Sequence, residues 1–253
     1  MRSEPVRTVL SAWSWLTLGV SAIVIVPLVG VIRLATSRTD PGRYKAGRMF
    51  RQIAVVHQKL NPLWKFTVSG TIPADPRRPY VVVANHESFV DILLLSHLPF
   101  EMKWMSKSDF FRFPFVGWGM RMAGDIKLER TDAKGGVAAL AESRDRLEKK
   151  VSVMIFPEGT RSAGGELQEF KDGAFRLAIS AGVPVLPVAV IGTRDALVKH
   201  DWRFGYSTAE ARVLEPIATD GLTKHDVKAL RDQTRRAIAE ALETMRAERP
   251  AVR

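Results

Sequence analysis

The chain has 253 residues, is 46% hydrophobic and 26% charged, carries a formal net charge of +11 and contains no cysteine. This composition supports one sizeable folded core and excludes disulfides, cysteine-containing zinc sites and a cysteine nucleophile. The positive charge indicates an anionic partner, which is nucleic acid, an anionic membrane surface or a phosphorylated substrate.

The N-terminal segment contains no charged residue from Thr8 to Ile32 and is long enough to span a bilayer. Pro27 weakens a straight helix there, and an amphipathic stretch follows from Tyr44 to Leu60, so two helices dipping into one leaflet are an open alternative. A cleaved signal peptide, with its site at residues 35–37, is a third interpretation. The basic residues that follow suit a cytoplasmic membrane flank. They are Arg33, Arg38, Arg43, Lys45, Arg48 and Arg51.

Beyond Pro62 short apolar runs alternate with helical patterns, which predicts an α/β domain with a mixed, largely parallel sheet flanked by helices. The predicted strands are Phe66–Ser69, Tyr80–Ala84, Met102–Met105, Asp125–Leu128, Val151–Phe156 and Val185–Ile191. Helices are predicted at Ala133–Lys149 and after a capping box formed by Thr223 and Asp226. The chain is therefore expected to comprise N-terminal membrane-binding helices, residues 1–61, and an α/β domain, residues 62–253.

Polar residues crowd the end of the second predicted strand, where Asn85, His86, Ser88 and Asp91 occur within seven positions. Ligands in open α/β sheets bind at the carboxyl ends of strands, so His86 is placed to act as a general base. A turn would bring Asp91 back to the imidazole, where its carboxylate fixes the tautomer. Taken alone, an isolated His and Asp favour the alternative, a histidine that caps the next helix or satisfies backbone groups.

A second polar cluster, with Glu158, Gly159 and Arg161, follows the strand Val151–Phe156. A guanidinium binds phosphate bidentately and a carboxylate orients hydroxyls, so Glu158 and Arg161 suit an acceptor that carries both groups. The alternative is a surface turn with a solvated ion pair.

These clusters, with others in the same order, resemble the glycerolipid acyltransferase family. The similar blocks are Asn85-His86-x-Ser88-x-x-Asp91, Lys107 to Trp118, Gly124 to Arg130, Phe156 to Ser162 and Val183 to Val188. They cover roughly residues 66–192, and several ordered blocks are far more specific than one motif. Lys127 and Glu129 depart from the family pattern, which has an aromatic residue and Asp there.

The resemblance implies roles for several of these residues. His86 is the expected base and Asp91 its partner. The expected substrate-binding residues are Lys107, Arg130, Glu158, Gly159, Arg161 and Lys171. Arg130 and Arg161 would bind an acceptor phosphate, and Ser88 would have a capping or positioning role.

The implied reaction transfers a fatty acyl group from acyl-CoA or acyl carrier protein to the sn-2 hydroxyl of 1-acyl-glycerol-3-phosphate, giving phosphatidic acid. It needs no metal and no cofactor. The expected partners are the lysophospholipid acceptor, the acyl thioester donor, the membrane and acyl carrier protein, without nucleic acid. The expected location is the cell inner membrane, with the catalytic domain on the cytoplasmic face.

Three alternatives stay open. They are an acyltransferase for another lysolipid, such as a lyso-aminolipid, a catalytically silent membrane scaffold, and a basic nucleic-acid-binding protein. The last lacks an aromatic-basic RNA signature or zinc spacing in the sequence. The aromatic cluster from Phe110 to Trp118 would either meet lipid, line the acyl path or form buried core.

Overall fold

The computed structural model describes residues 4–129, 133–162, 165–198 and 201–249. The strands are β1 (Trp64–Gly70), β2 (Val81–Ala84), β3 (Met102–Lys107), β4 (Ile126–Leu128), β5 (Ser152–Ile155), β6 (Val185–Ile191) and β7 (Ser207–Val213). The helices are α1 (Glu4–Ala35), α2 (Tyr44–Leu60), α3 (Val90–Leu95), α4 (Val116–Ala123), α5 (Ala133–Glu148), α6 (Gly173–Ala181), α7 (Thr193–Ala196) and α8 (Val227–Glu248). A 3₁₀ helix, Ser108–Arg112, precedes α4.

The strands form one seven-stranded sheet in the order β1-β7-β6-β2-β5-β3-β4. Strand β2 lies near the centre and pairs in parallel with β5 and β6, and β3 and β4 continue the parallel arrangement. Strand β7 runs antiparallel to β6, and β1 is parallel to β7. The predicted mixed, largely parallel sheet is therefore confirmed.

The central strands are buried on both faces, as near-continuous apolar runs in a parallel sheet require. One face packs against residues of α5, α6 and α8, including Ala139, Phe175 and Ile238. The other face packs against α3 and the residues that follow it, including Leu94 and Leu98. Because the five parallel strands point the same way, the loops after β2, β3, β4, β5 and β6 share one edge of the sheet.

Five elements were not predicted from the sequence, namely the 3₁₀ helix, α4, α6, α7 and β7. Strand β7 places Ser207, Ala209, Ala211 and Val213 inward, and alanine is depleted in strands, so the segment lacks the usual strand composition. Helix α6 starts at Gly173 and has no side-chain cap, so it lacks the usual start signal.

Helix α1 continues without a break through Pro27, against the expectation that proline and glycine weaken it there. It packs against α2 and α4 through Ile25, Val26 and Val29. Its other side exposes Val9, Trp13, Trp15, Leu16, Val20, Ile23, Val24, Leu28, Val31 and Leu34. The helix is long and apolar enough to cross a membrane. An apolar face this long indicates contact with lipid, and the chain associates with a membrane through α1.

The basic segment after α1 only partly fits the predicted membrane flank. Arg51 is buried and pairs with Asp125, and Arg48 donates a 2.7 Å hydrogen bond to the carbonyl of Leu98. Arg43 donates to the carbonyl of Arg121. These guanidinium groups tie α2 to the α/β body, because helical spacing turns them inward, and do not face a membrane.

Candidate active site

His86 and Asp91 lie at the carboxyl end of β2, close together as the sequence predicts. The Nδ1 atom of His86 is 2.6 Å from Oδ2 of Asp91. The imidazole is partly exposed, whereas Asp91 is fully buried at the start of α3. With Nδ1 bound to the carboxylate, we assign the proton to Nδ1, which leaves Nε2 free to accept a proton.

Asp91 is held by donors from two segments, the loop after β2 and the residues that follow β6. Its Oδ2 also accepts hydrogen bonds from the backbone N–H groups of Glu87, at 2.8 Å, and Ser88, at 3.0 Å. Its Oδ1 accepts a hydrogen bond from the hydroxyl of Thr193, which follows β6. Hydrogen bonds to a buried carboxylate stabilise its charge and fix its orientation. Asp91 is therefore a fixed acceptor for the imidazole.

The loop after β5 positions the histidine from the other side. Phe156 stacks on the His86 ring, with centroids 4.0 Å apart and planes within 13°. The Oε1 atom of Glu158 accepts the backbone N–H of His86 at 2.7 Å, and the N–H of Ser162 donates to the His86 carbonyl at 2.9 Å. Both backbone groups of His86 are thus bound to this loop.

Glu158 makes its contacts inside the protein and not in the cleft. It is 4% exposed, and its second oxygen accepts the backbone N–H of Gln168 at 3.1 Å. Burial raises the pKa of this carboxyl, and the hydrogen bonds from His86 and Gln168 oppose the rise. The sequence suggested that Glu158 orients acceptor hydroxyls, but both of its oxygens are engaged by the backbone. This geometry favours a positioning role.

A cleft of about 490 Å³ opens beside His86. Its lining includes Lys107 after β3, Glu129 after β4, Gly159 after β5, and Lys171 with Gly173 at the start of α6. A Cβ atom on Gly159 would lie 2.7 Å from Nζ of Lys171, and Gly159 has φ +73. The positive φ favours glycine here, and the ammonium group of Lys171 lies close to the backbone.

The remaining predicted residues lie elsewhere. Arg161 is exposed and, among the described residues, is not part of the cleft lining. Arg130 falls outside the described residues. The hydroxyl of Ser88 accepts the backbone N–H of Val90 at 3.3 Å, in line with the predicted capping role.

An apolar cavity of about 320 Å³ adjoins the cleft. The two share Ile92, Trp104, Ser106 and Phe110. The cavity runs between α1, α2, α3 and α4, and Arg51 and Asp125 are its charged lining residues. The edge of the sheet that carries His86 thus connects directly with a cavity lined by apolar side chains.

Two positioning residues, Thr193 and Phe156, were not singled out as site residues from the sequence. Thr193 contacts Asp91 only because β6 lies next to β2, an adjacency that the sequence does not state. Phe156 directly precedes the polar cluster and opens the block from Phe156 to Ser162, but neither signal assigns it a role.

Comparison with known proteins gives consistent results. A family model described as "Acyltransferase" matches residues 65–191. The human 1-acyl-sn-glycerol-3-phosphate acyltransferase alpha is 33% identical over 199 residues, which are 78% of this chain and 70% of the human protein. A chloroplastic 1-acyl-sn-glycerol-3-phosphate acyltransferase of Arabidopsis thaliana is 36% identical over 177 residues, 69% of this chain and 49% of the plant protein.

A solved structure is also similar. The crystal structure of the 1-acyl-sn-glycerophosphate (LPA) acyltransferase PlsC from Thermotoga maritima superposes with a TM-score of 0.73 and 26% identity, over 97% of this chain and 100% of that one. The predicted resemblance is thereby confirmed. The chain belongs to the acyltransferase family, among the 1-acyl-sn-glycerol-3-phosphate acyltransferases.

Proposed function

We propose that this chain transfers a fatty acyl group from an acyl thioester to the sn-2 hydroxyl of 1-acyl-glycerol-3-phosphate and so forms phosphatidic acid, with His86 as the general base. The observation that carries this proposal is the 2.6 Å contact between His86 Nδ1 and Asp91 Oδ2 at the edge of the cleft. A base oriented by a buried carboxylate is the arrangement that acyl transfer to a hydroxyl needs.

The first step forms the carbon–oxygen bond. The Nε2 atom of His86 takes the proton of the acceptor hydroxyl as its oxygen attacks the thioester carbonyl carbon. The carbonyl π electrons move to oxygen and give a tetrahedral oxyanion. The imidazolium formed at the same time is stabilised by Asp91 at Nδ1 and by the Phe156 ring stacked against it.

The second step breaks the carbon–sulfur bond. The oxyanion collapses to the new ester, and the sulfur leaves with the electron pair of that bond. The imidazolium returns its Nε2 proton to the departing thiolate, which restores neutral His86. No acyl-enzyme is required, so Ser88 keeps its capping contact with Val90 throughout.

The acceptor phosphate binds on the side of the cleft formed by Lys107 and Lys171. Both side chains line the cleft, and α6 begins at Gly173 in the same lining, where the helix itself does not pair the first backbone N–H groups. Exposed Arg161 stays a predicted phosphate ligand, and the Arg161→Ala variant is expected to raise the acceptor KM. An effect on kcat alone would contradict that role.

The apolar cavity accommodates a fatty acyl chain. It is lined almost wholly by hydrocarbon and aromatic groups and shares four residues with the cleft, so a chain inside it has its carboxyl end near His86. Burial of each methylene group contributes about 0.8 kcal/mol, so each methylene group that the cavity accommodates strengthens binding of the acyl chain.

The two parts of the chain have different roles. Residues 1–61 bind the membrane, and residues 62–253 carry the acyltransferase site. Arg33, Arg38 and Lys45 remain as the basic flank of α1, which favours the inner membrane with the catalytic domain on the cytoplasmic face. Acyl-CoA or acyl carrier protein supplies the thioester from that side.

The experiment that tests the proposal uses the purified full-length chain with labelled acyl-CoA or labelled acyl carrier protein. A panel of acceptors would include 1-acyl-glycerol-3-phosphate, other lysophospholipids and a lyso-aminolipid. We expect labelled phosphatidic acid as the main product. A phosphate-free acceptor used equally well would contradict the proposed acceptor.

The His86→Ala variant tests the mechanism. General-base catalysis raises the rate about 10²- to 10⁴-fold, so kcat is expected to fall by about 10²-fold or more while the fold is retained. His225→Ala is the matched control, because His225 is exposed and far along the chain at the start of α8. Undiminished turnover in His86→Ala would overturn the assignment.

A further inference from the structure

A patch of exposed aromatic and aliphatic side chains lies outside α1, on the 3₁₀ helix and the first turn of α4. Phe113 is 57% exposed, Trp118 is 52% exposed, and Phe110 and Val116 are also exposed. The rings form two pairs, with Phe110 6.3 Å from Phe113 and the half-buried Phe115 5.1 Å from Trp118. We call Phe110, Phe113, Val116 and Trp118 the aromatic patch. Contiguous exposed apolar surface of this kind marks an interaction site.

The aromatic patch is continuous with the membrane helix. Helix α4 packs directly on α1, and a Cβ atom on Gly30 of α1 would lie 3.4 Å from Sδ of Met122. Helix α4 is also pressed against α2, where Gly119 leaves room for the ring of Phe50. The lipid-facing side of α1 and the aromatic patch therefore belong to neighbouring helices of one packed unit.

The aromatic patch also borders the acyl cavity. Phe110 and Val116 are exposed and at the same time line the cavity, as does Trp15 of α1. Inside, the Phe110 ring stacks at 6.4 Å on Phe89, which lies on the catalytic loop. A row of rings thus leads from the surface at Phe113 to the cavity next to the catalytic loop.

The charges around the aromatic patch suit an anionic lipid surface. Arg112, between Phe111 and Phe113, is exposed, and Arg121 at the end of α4 is exposed as well. Aromatic rings with basic neighbours are typical of segments that lie at the headgroup level of a bilayer.

We propose that the aromatic patch is a second membrane-contacting surface, which inserts beside α1 and places the edge of the acyl cavity in the lipid. The protein then rests on the bilayer at two places, along α1 and at the start of α4. A lysolipid reaches the cleft beside His86 by lateral movement from the leaflet, past Phe113 and Phe110, without crossing water.

The absence of cysteine from the chain allows a direct test. Single cysteines introduced as Phe113→Cys or Trp118→Cys are labelled with an environment-sensitive fluorophore. The full-length protein is reconstituted into vesicles of phosphatidylcholine and phosphatidylglycerol, with or without lipids that carry a quencher on the acyl chain. Val20→Cys, on the exposed side of α1, is the lipid-contacting reference. Glu243→Cys, exposed on α8 on the opposite face of the sheet, is the water-exposed reference.

We expect the labels at positions 113 and 118 to be quenched to an extent closer to position 20 than to position 243. Quenching at both positions closer to that at position 243 would overturn the proposal. This readout needs no turnover, so it succeeds or fails independently of the proposed reaction.

A second measurement separates membrane contact from a merely structural role. The double variant Phe113→Ser with Trp118→Ser removes two aromatic side chains that do not line the cavity. We expect about a tenfold loss of rate with an acceptor embedded in vesicles, and less than about a twofold loss in detergent micelles. An equal loss in both would count against the proposal, because it would mean that these residues support the fold and not membrane contact.

Discussion

The hydroxyl of Thr193 donates a hydrogen bond to Oδ1 of Asp91, while the other oxygen of that carboxylate lies against His86. Thr193 and Asp91 are both fully buried. The two residues come from the ends of neighbouring strands, β6 and β2, so the orientation of the catalytic pair depends on the pairing of the central sheet.

The Thr193→Val variant tests this dependence. Valine matches threonine in size but leaves Oδ1 of Asp91 buried without its donor, at a cost of about 1–3 kcal/mol. We expect kcat to fall about tenfold with little change in either KM, because the acceptor does not touch Thr193. Thr193→Ser restores the hydroxyl and should recover most of the rate. A serine variant as slow as the valine variant would show that side-chain volume, and not the hydrogen bond, matters.

Lys171 is expected to bind the acceptor phosphate. A charge-assisted hydrogen bond contributes about 1.5–3 kcal/mol, so Lys171→Ala should raise the acceptor KM about tenfold or more while the donor KM stays unchanged. Steady-state kinetics with each substrate varied in turn measures this. Arg176→Ala is the control, since Arg176 is two-thirds exposed on α6. A selective rise in the donor KM would assign Lys171 to the thioester instead.

Glu87 makes the stability of the protein depend on pH. Burial, with the Asp91 carboxylate adding to it, raises the pKa of Glu87 from 4.5 to about 7. The unfolded chain loses this proton near pH 4.5 and the folded protein near pH 7, so stability falls as pH rises through that interval and is level above it. The Glu87→Gln variant removes this pH dependence. Its free energy of unfolding should exceed that of the wild type by at most about 3 kcal/mol at about pH 8.

Denaturant unfolding of both proteins at about pH 5 and about pH 8 measures this advantage, which should be small at the lower pH. Glu243→Gln serves as the control, because Glu243 is exposed and should give the same small difference at both values. A Glu87→Gln advantage that does not change with pH would contradict the prediction.

A buried ion cluster at the far side of the acyl cavity supports the fold. Lys103 and Glu101 are both fully buried, with Nζ 2.9 Å from Oε1, and Arg51 lies 3.7 Å from the same oxygen. Burial lowers the pKa of Lys103 and raises that of Glu101, and each charge opposes the shift of the other. Lys103→Met removes one partner from a buried pair and should cost about 3–5 kcal/mol of unfolding free energy.

The free energy of unfolding, measured by thermal or denaturant unfolding, checks this prediction. Lys127→Met is the control variant. Lys127 also forms an ion pair, at 2.6 Å with Glu129, but both side chains are about half exposed, so its loss should cost little. Equal destabilisation by the two substitutions would mean that burial of the Lys103 pair does not increase the cost of removing one partner.

The fold was predictable where the side chains differ strongly between faces or are wholly apolar. Strand β6 matches its predicted range from Val185 to Ile191, and α2 matches from Tyr44 to Leu60. Strand β7 was missed because its inward residues are mostly Ser and Ala, which lack the β-branched and aromatic side chains typical of strands.

For the site, spacing and a strand end suggested the contact between His86 and Asp91, and the resemblance to the acyltransferase blocks favoured it over a histidine that caps the next helix. Contacts that depend on which strands are neighbours were out of reach, and Thr193 is the clearest case. Glu158 shows a different limit. Its residue type suggested a substrate contact, whereas the backbone N–H groups of His86 and Gln168 take both of its oxygens. Sequence identifies a carboxylate but does not tell which way it points.

The attachment of His86 to the loop after β5 limits how this enzyme can be re-engineered. The backbone of His86 accepts one hydrogen bond from Ser162 and donates one to Glu158. Replacing residues 156–162 to change acceptor preference would therefore also disturb the base. A loop transplanted from a relative would change the shape of the phosphate site. It would also change the backbone hydrogen bonds that position the imidazole. Redesign of acceptor choice should therefore vary Lys107 or Lys171, whose side chains reach the cleft without carrying the histidine backbone.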